Sequence, residues 1–257
     1  MPETKEKKAD AADARCITGI DGLDRILNGG IPRGNTVLIT GSCGTGKTTL
    51  SLEFLLHGAL NNENSLFISV TENWQKLIKN VIPYRFFDED LLKNKKLIMI
   101  DLGAIYNKLG LEKSEFTAED IDIIVRAVGD IVKEWEIKRL VIDSITSICF
   151  QLKTKEKIRD FILYIGKNLS EAGCTSILVS EISRAEQSYS MYGVEEAIAD
   201  GIVLMANMER RGDLLRTLQV VKMRGTMHSR AKYVLDLTPE GVLLVPLLKG
   251  GSIPGGI

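Results

Sequence analysis

No apolar run in this 257-residue sequence approaches the roughly 20 residues needed to cross a bilayer. The opening stretch, Met1 to Ala14, mixes Lys with Glu and Asp around no apolar centre, so it does not read as a signal peptide. Cysteine is scarce. Cys16, Cys43, Cys149 and Cys174 form no CxxC pair, and the only histidines are His57 and His228. That argues against a zinc site and more strongly against a disulfide framework, and the thiols read as reduced groups in a cytoplasmic protein. An excess of one charge is missing too. With 33 Lys and Arg against 34 Asp and Glu, the net charge is -1, and no global basic field recruits nucleic acid or an anionic membrane. There is no mid-chain linker and no internal repeat, and the length suits one α/β domain. We read 1–14 as a flexible leader, 15–248 as the domain, and the Gly- and Pro-rich 249–257 as a flexible tail.

What is present is an alternation of strand-like and helix-length segments. Thr36–Thr40 is a short β-branched run that ends at a Gly-rich loop. Lys47–Leu60 follows as a helix, with Leu50, Phe54 and Leu55 at helical spacing. Ser65–Val70 reads as a strand, Trp74–Val81 as a helix halted before Pro83, and Lys96–Asp101 as a strand. Thr117–Trp135 is a helix, capped by Thr117 with Asp120 in the third position. Arg139–Asp143 is a strand, Lys155–Ala172 a helix and Thr175–Ser180 a strand. This rhythm predicts a mostly parallel central sheet with helices on both faces. After Gly201 the character changes. Gly201–Met208, Leu214–Met223, Lys232–Asp236 and Gly241–Val245 are strand-like, with turn chemistry at Arg211-Gly212-Asp213 and Pro239-Glu240-Gly241. They predict a C-terminal antiparallel extension of the same sheet.

The Gly-rich loop reads Gly41-Ser42-Cys43-Gly44-Thr45-Gly46-Lys47-Thr48, followed by Thr49. It sits between a predicted strand and a predicted helix, the context that a phosphate-binding P-loop requires. Gly41, Gly44 and Gly46 let backbone N–H groups turn inward, and the helix adds the positive end of its dipole. The predicted ligand is ATP with Mg2+: Lys47 reaches the β- and γ-phosphates, and the Thr48 hydroxyl is a metal ligand. Cys43 lies in the loop without a required chemical role. Asp143 ends an apolar strand, where a carboxylate is costly unless compensated. Mg2+ beside Thr48 provides that compensation, with Ser144 helping to orient the water shell.

Hydrolysis also needs a group that orients or deprotonates the attacking water. Glu72 follows the strand Ser65–Val70, and carboxyl ends of parallel strands face the ligand crevice, so Glu72 is the predicted base. Glu181, after Thr175–Ser180, is the second acid expected to look into the crevice, as a sensor or secondary base.

Four segments resemble one family. They are Ile17-Thr-Gly-Ile-Asp-Gly-Leu-Asp24, Gly29-Gly-Ile-Pro-Arg-Gly34 with the P-loop, Tyr192-Gly-Val-Glu-Glu-Ala-Ile-Ala-Asp200, and Lys222-Met-Arg-Gly-Thr-Met-His228. Together they resemble the circadian-clock ATPase KaiC and cover about Cys16 to Val245. The resemblance implies a RecA-like P-loop ATPase core. It also implies a homo-oligomeric ring, usually a hexamer, with ATP between neighbours and an unidentified protein partner. It further implies that Lys222, Arg224, Thr226 and His228 belong to the nucleotide site of the adjacent protomer, Lys222 and Arg224 with catalytic roles. Lys222 and Arg224 alternate along a strand, which puts both on one face, and Gly225 permits the bend that carries Thr226 and His228. The sequence departs from the family in three respects. It has length for one such domain where KaiC has two. It places Thr71-Glu72 where family members place two adjacent acids. It holds a lone Thr238 and no adjacent Ser-Thr pair after His228.

Two other readings stand beside this one. A non-hydrolysing ATP sensor or scaffold is favoured by the single acid at Glu72. A DNA-recombination ATPase would place DNA loops after Asp143 and before Gly193. A basic cluster, Lys153, Lys155, Lys157 and Arg159, does follow Asp143, but such runs are usually solvated faces, and Ser183–Met191 holds one Arg and one Glu. Nucleic acid is therefore disfavoured as a partner.

Overall fold

The structure is a computed structural model that describes residues 15–109, 117–182 and 189–247. The expected leader and tail, and most of Ser183–Met191, lie outside the described residues. Among the described residues, no helix is long and apolar enough to cross a membrane.

The chain opens with a small ribbon in which β1 (Arg15–Cys16) pairs antiparallel with β2 (Ile31–Pro32), with α1 (Asp21–Ile26) between them. Next come β3 (Thr36–Gly41), α2 (Lys47–Leu60), β4 (Ser65–Ser69), α3 (Trp74–Val81), α4 (Asp90–Lys93), β5 (Leu97–Asp101) and α5 (Leu102–Leu109). They are followed by α6 (Ala118–Glu134), β6 (Arg139–Asp143), α7 (Ile145–Leu152), α8 (Lys155–Glu171), β7 (Thr175–Glu181) and α9 (Glu195–Ile198). Four strands close the chain: β8 (Gly201–Arg210), β9 (Asp213–Met223), β10 (Lys232–Thr238) and β11 (Gly241–Pro246). Nine strands form one sheet in the order β11-β10-β9-β8-β3-β7-β6-β4-β5.

From β8 to β5 every pairing is parallel, whereas β9, β10 and β11 are added antiparallel. The extension therefore begins one strand later than the sequence suggested, because β8 joins β3 in parallel before turning back into β9. The buried strands alternate between two cores with the period of two that a pleated strand imposes. Val37 and Ile39 face one core and Leu38 the other. Likewise Val141 opposes Leu140 and Ile142. The first core is covered by α1, α2 and α3, and the second by α6, α7 and α8. Helix α2 is buried over most of its circumference, including the polar Lys47, Ser51 and Glu53. A helix enclosed on that scale is held rigidly, which fixes the loop at its start. The register of β3, β4, β6 and β7 brings their carboxyl ends to one rim, at Gly41, Ser69, Asp143 and Glu181.

Candidate functional site

The loop between β3 and α2 is built around two backbone demands. A Cβ on Gly41 would lie 2.1 Å from the Met205 carbonyl oxygen of β8, so only glycine permits the pairing. Gly46 is the N-cap of α2 with φ +93, the left-handed region that glycine occupies without strain. The cap has no side-chain bond, and the first turn of α2, Lys47-Thr48-Thr49, holds no acid. Its free N–H groups and positive dipole end are thus directed at the loop without an internal anion. Lys47 is buried, and its ammonium donates to the Gly41 and Ser42 carbonyls at 2.8 and 2.9 Å. Thr45 Oγ1 donates to Ser42 O at 2.9 Å and tightens the curl. Burial holds the Lys47 pKa below the usual lysine range, against the opposing pull of Glu181 and Asp143.

Beside the loop lies a cleft of about 230 Å3 lined by Thr48, Thr49, Glu72, Asp143 and Glu181. Thr48 Oγ1 donates to Asp143 Oδ2 at 2.6 Å, which joins the start of α2 to the end of β6. Burial lifts the Asp143 pKa. The Thr48 bond and Lys47 offset this, while Glu181 and Glu72 add to it. Glu72 enters from the link between β4 and α3. Its backbone carbonyl accepts a bond from Ser69 Oγ, and its half-exposed carboxylate lies 3.7 Å from Lys76. Glu181 N–H donates to Thr146 Oγ1 at 2.9 Å, so α7 holds the end of β7 in place. Ser144 is buried as the N-cap of α7 and is not among the cleft-lining residues.

Lys222, Arg224, Thr226 and His228 are not brought to this cleft. Lys222 Nζ donates to the Glu196 and Ala199 carbonyls at 3.1 and 2.6 Å. Arg224 reaches the Ala197 and Ile198 carbonyls and the Asp200 carboxylate, at 3.1, 3.2 and 3.1 Å. Both cations thus grip the carbonyl end of α9, where positive charge suits the dipole. Asp200 also accepts from Thr36 N–H at the start of β3, a strand length of about 17 Å from Gly41. The chain turns at Gly225, with φ +77, and Thr226 Oγ1 donates to the Leu27 carbonyl. His228 Nε2 is buried without a hydrogen-bond partner among the described residues.

The profile of the ATPase family KaiC matches residues 16–249. The chain belongs to the KaiC family of ATPases. A UPF0273 protein of Thermotoga maritima is 35% identical over 238 residues, covering 90% of this chain and 96% of its own. A circadian clock oscillator protein KaiC, from Acaryochloris marina, is 29% identical over 245 residues, covering 95% of this chain but 46% of that protein. The chain therefore spans about half the length of that KaiC. The crystal structure of a KaiC-like protein from Pyrococcus horikoshii superposes with TM-score 0.76 at 34% identity, covering 90% of this chain and 99% of that one.

The donors of this KaiC-family chain suit the phosphates of a nucleotide. An uncompensated helix start faces the loop, Lys47 stands within it, and Asp143 is bonded to the Thr48 hydroxyl, while Glu72 and Glu181 line the same cleft without forming, among the described residues, a group of three acids close enough to hold a metal ion. Sequence reading missed two further supports of the loop. Arg216 Nε donates to the Gly44 carbonyl at 3.0 Å, and Asn207 Nδ2 to the Cys43 carbonyl at 3.4 Å. Asn207 and Arg216 face each other across the β8–β9 hairpin. Polar residues interrupting these strands were the available signal, but the pairing register was needed to aim them.

Proposed function

We propose that residues 15–248 form one cytoplasmic ATPase domain that binds ATP with Mg2+ in the β3–α2 loop. It hydrolyses the nucleotide slowly, assembles into a ring of about six subunits and acts on a partner protein. The observation that carries the nucleotide reading is the Thr48–Asp143 bond. It ties the metal-ligand hydroxyl of a P-loop to the acidic strand end beside the base candidate Glu72.

In this reading the loop N–H groups and the start of α2 hold the phosphates, and Lys47 turns from its loop carbonyls to the β- and γ-oxygens. Thr48 and Asp143 are the residues that would hold the cation. Mg2+, when bound, neutralises charge on the β/γ oxygens. Glu72 accepts a proton from, or orients, the attacking water, and Glu181 supports it from the far side of the cleft. Lys222 and Arg224 are remote from their own loop, so any contact with a γ-phosphate has to be with a neighbour's. There the two cations stabilise the charge that develops on transfer and couple turnover to assembly. Met227, 80% exposed between Thr226 and His228, is suited to burial at such an interface. No clock role and no self-phosphorylation follow from this site.

A second reading, an ATP-binding scaffold without turnover, is favoured by Glu72 being the one acid after β4 and already close to Lys76. Native mass measurement with and without ATP, paired with phosphate release, separates the readings. Slow release from ATP-dependent rings supports the ATPase. Rings with release at background support the scaffold. A protein that stays monomeric with saturating ATP overturns the ring.

A further inference from the structure

A second concavity lies away from the acidic cleft, against the outer strand of the sheet. It measures about 670 Å3, far more than the 230 Å3 of the cleft, and falls in the size range of small-molecule sites, about 300–1,000 Å3. Its walls are Trp74, Ile78, Phe87, Met99 and Trp135, with Ile82 at 56% exposure. Trp74, Ile78 and Ile82 come from α3 and its end, Met99 from β5, and Trp135 from the end of α6. Three separate elements therefore hold the walls apart, and broad aromatic rings make up much of them. Apolar surface left open to water on this scale is a favourable place for an apolar body.

The charged groups lining it are unequal. Glu89 lies 3.6 Å from Lys93, which also reaches Asp90 at 3.2 Å. Lys79 and Lys95 have no ion-pair partner among the described residues, and the Lys95 ammonium stands 5.4 Å from the Trp135 ring centroid. An apolar interior beside two unneutralised ammonium groups is complementary to one kind of ligand, an amphiphile with an apolar body and a carboxylate head. Helix α3 lies between this cavity and the cleft, presenting Trp74, Ile78 and Lys79 to one and Leu77, Asn80 and Val81 to the other.

We propose that this cavity is a binding site for a small amphiphilic carboxylate, whose chain lies among Trp74, Phe87 and Trp135 and whose head is held by Lys79 and Lys95. The site is separate from the nucleotide reading, and its test needs no nucleotide. The chain's two tryptophans both line the cavity, so their fluorescence reports occupancy directly. Decanoate, below its micelle concentration, is titrated into the full-length protein, and decylammonium is the charge-reversed control. The expected result is saturable one-to-one binding of decanoate, about fivefold or more tighter than decylammonium. Lys79→Glu and Ile82→Glu, both at exposed positions, each weaken decanoate by about fivefold or more, and Lys79→Glu with Lys95→Glu inverts the order of the two probes. Fluorescence that does not saturate, equal affinity for the two probes, or indifference to the substitutions in folded protein overturns the proposal.

Discussion

Lys47 and Asp143 are charged groups that burial disfavours, and each is retained within reach of the other's charge, Asp143 also accepting a bond from the Thr48 hydroxyl. Such an arrangement is costly as architecture and useful as a site. Lys47→Ala removes the cation inside the loop, and nucleotide binding followed by calorimetry should fall to background. Glu72→Gln, on an exposed link, should keep binding and lower phosphate release by about 100-fold or more; turnover equal to the parent rules Glu72 out as base. Glu53 on α2 makes a different prediction. Burial lifts its pKa from 4.5 to about 7, only partly offset by the bond donated by Val242 N–H. Between those values the native state holds a proton that the unfolded state has lost. Glu53's contribution to stability is thus full below about pH 4.5 and lost as pH rises through about 7. Glu53→Gln keeps an acceptor without charge and should add about 2 kcal/mol, a Tm rise of about 4–8 °C, at about pH 8 and little at about pH 4.5. Equal shifts at both pH values would contradict this origin. The motif chemistry of Gly41 to Thr48 and the placement of Asp143, Glu72 and Glu181 at strand ends were legible in the sequence, because a parallel sheet sends those ends to one rim. Arg216 and Asn207 were not, because their aim depends on hairpin register.

Elements with a full chemical signature were read nearly to their ends. The capping box of α6 is present in both directions: Thr117 N–H donates to Asp120 Oδ2 at 2.8 Å, and Asp120 N–H to Thr117 Oγ1 at 3.2 Å. Thr117→Ala should cost about 1 kcal/mol and lower Tm by about 2–4 °C in a thermal melt; an unchanged Tm would show the cap to be redundant. Helix α7 escaped sequence reading. Ile145-Thr-Ser-Ile-Cys-Phe-Gln-Leu152 is a short apolar run whose period does not separate helix from strand, and its caps are weak: Ser144 makes no capping bond and Lys153 ends it at φ +65. The two-residue strands β1 and β2 and the single-turn α4 and α9 carry too little periodicity to be seen at all. Lys153, read as part of a basic cluster, has its ammonium 4.4 Å from the Phe150 ring centroid.

On the scale of the whole molecule, the sheet separates the two halves of the proposed chemistry. The loop lies at the carboxyl end of β3, while Lys222 and Arg224 lie toward its amino end, gripping α9. The two-residue spacing of Lys222 and Arg224 predicted that they lie together, and both do reach α9, although Arg224 is one residue beyond the end of β9. The spacing could not show which site they serve, because that depends on a second subunit. The most direct measurement is phosphate release from mixtures of Arg224→Ala and Lys47→Ala protein, with co-assembly verified by native mass. Each variant alone should be nearly inactive. In mixed rings some interfaces pair an intact loop with an intact Arg224, and activity should return above either parent. Verified mixed rings that remain as inactive as their parents would contradict an arginine supplied by the neighbour.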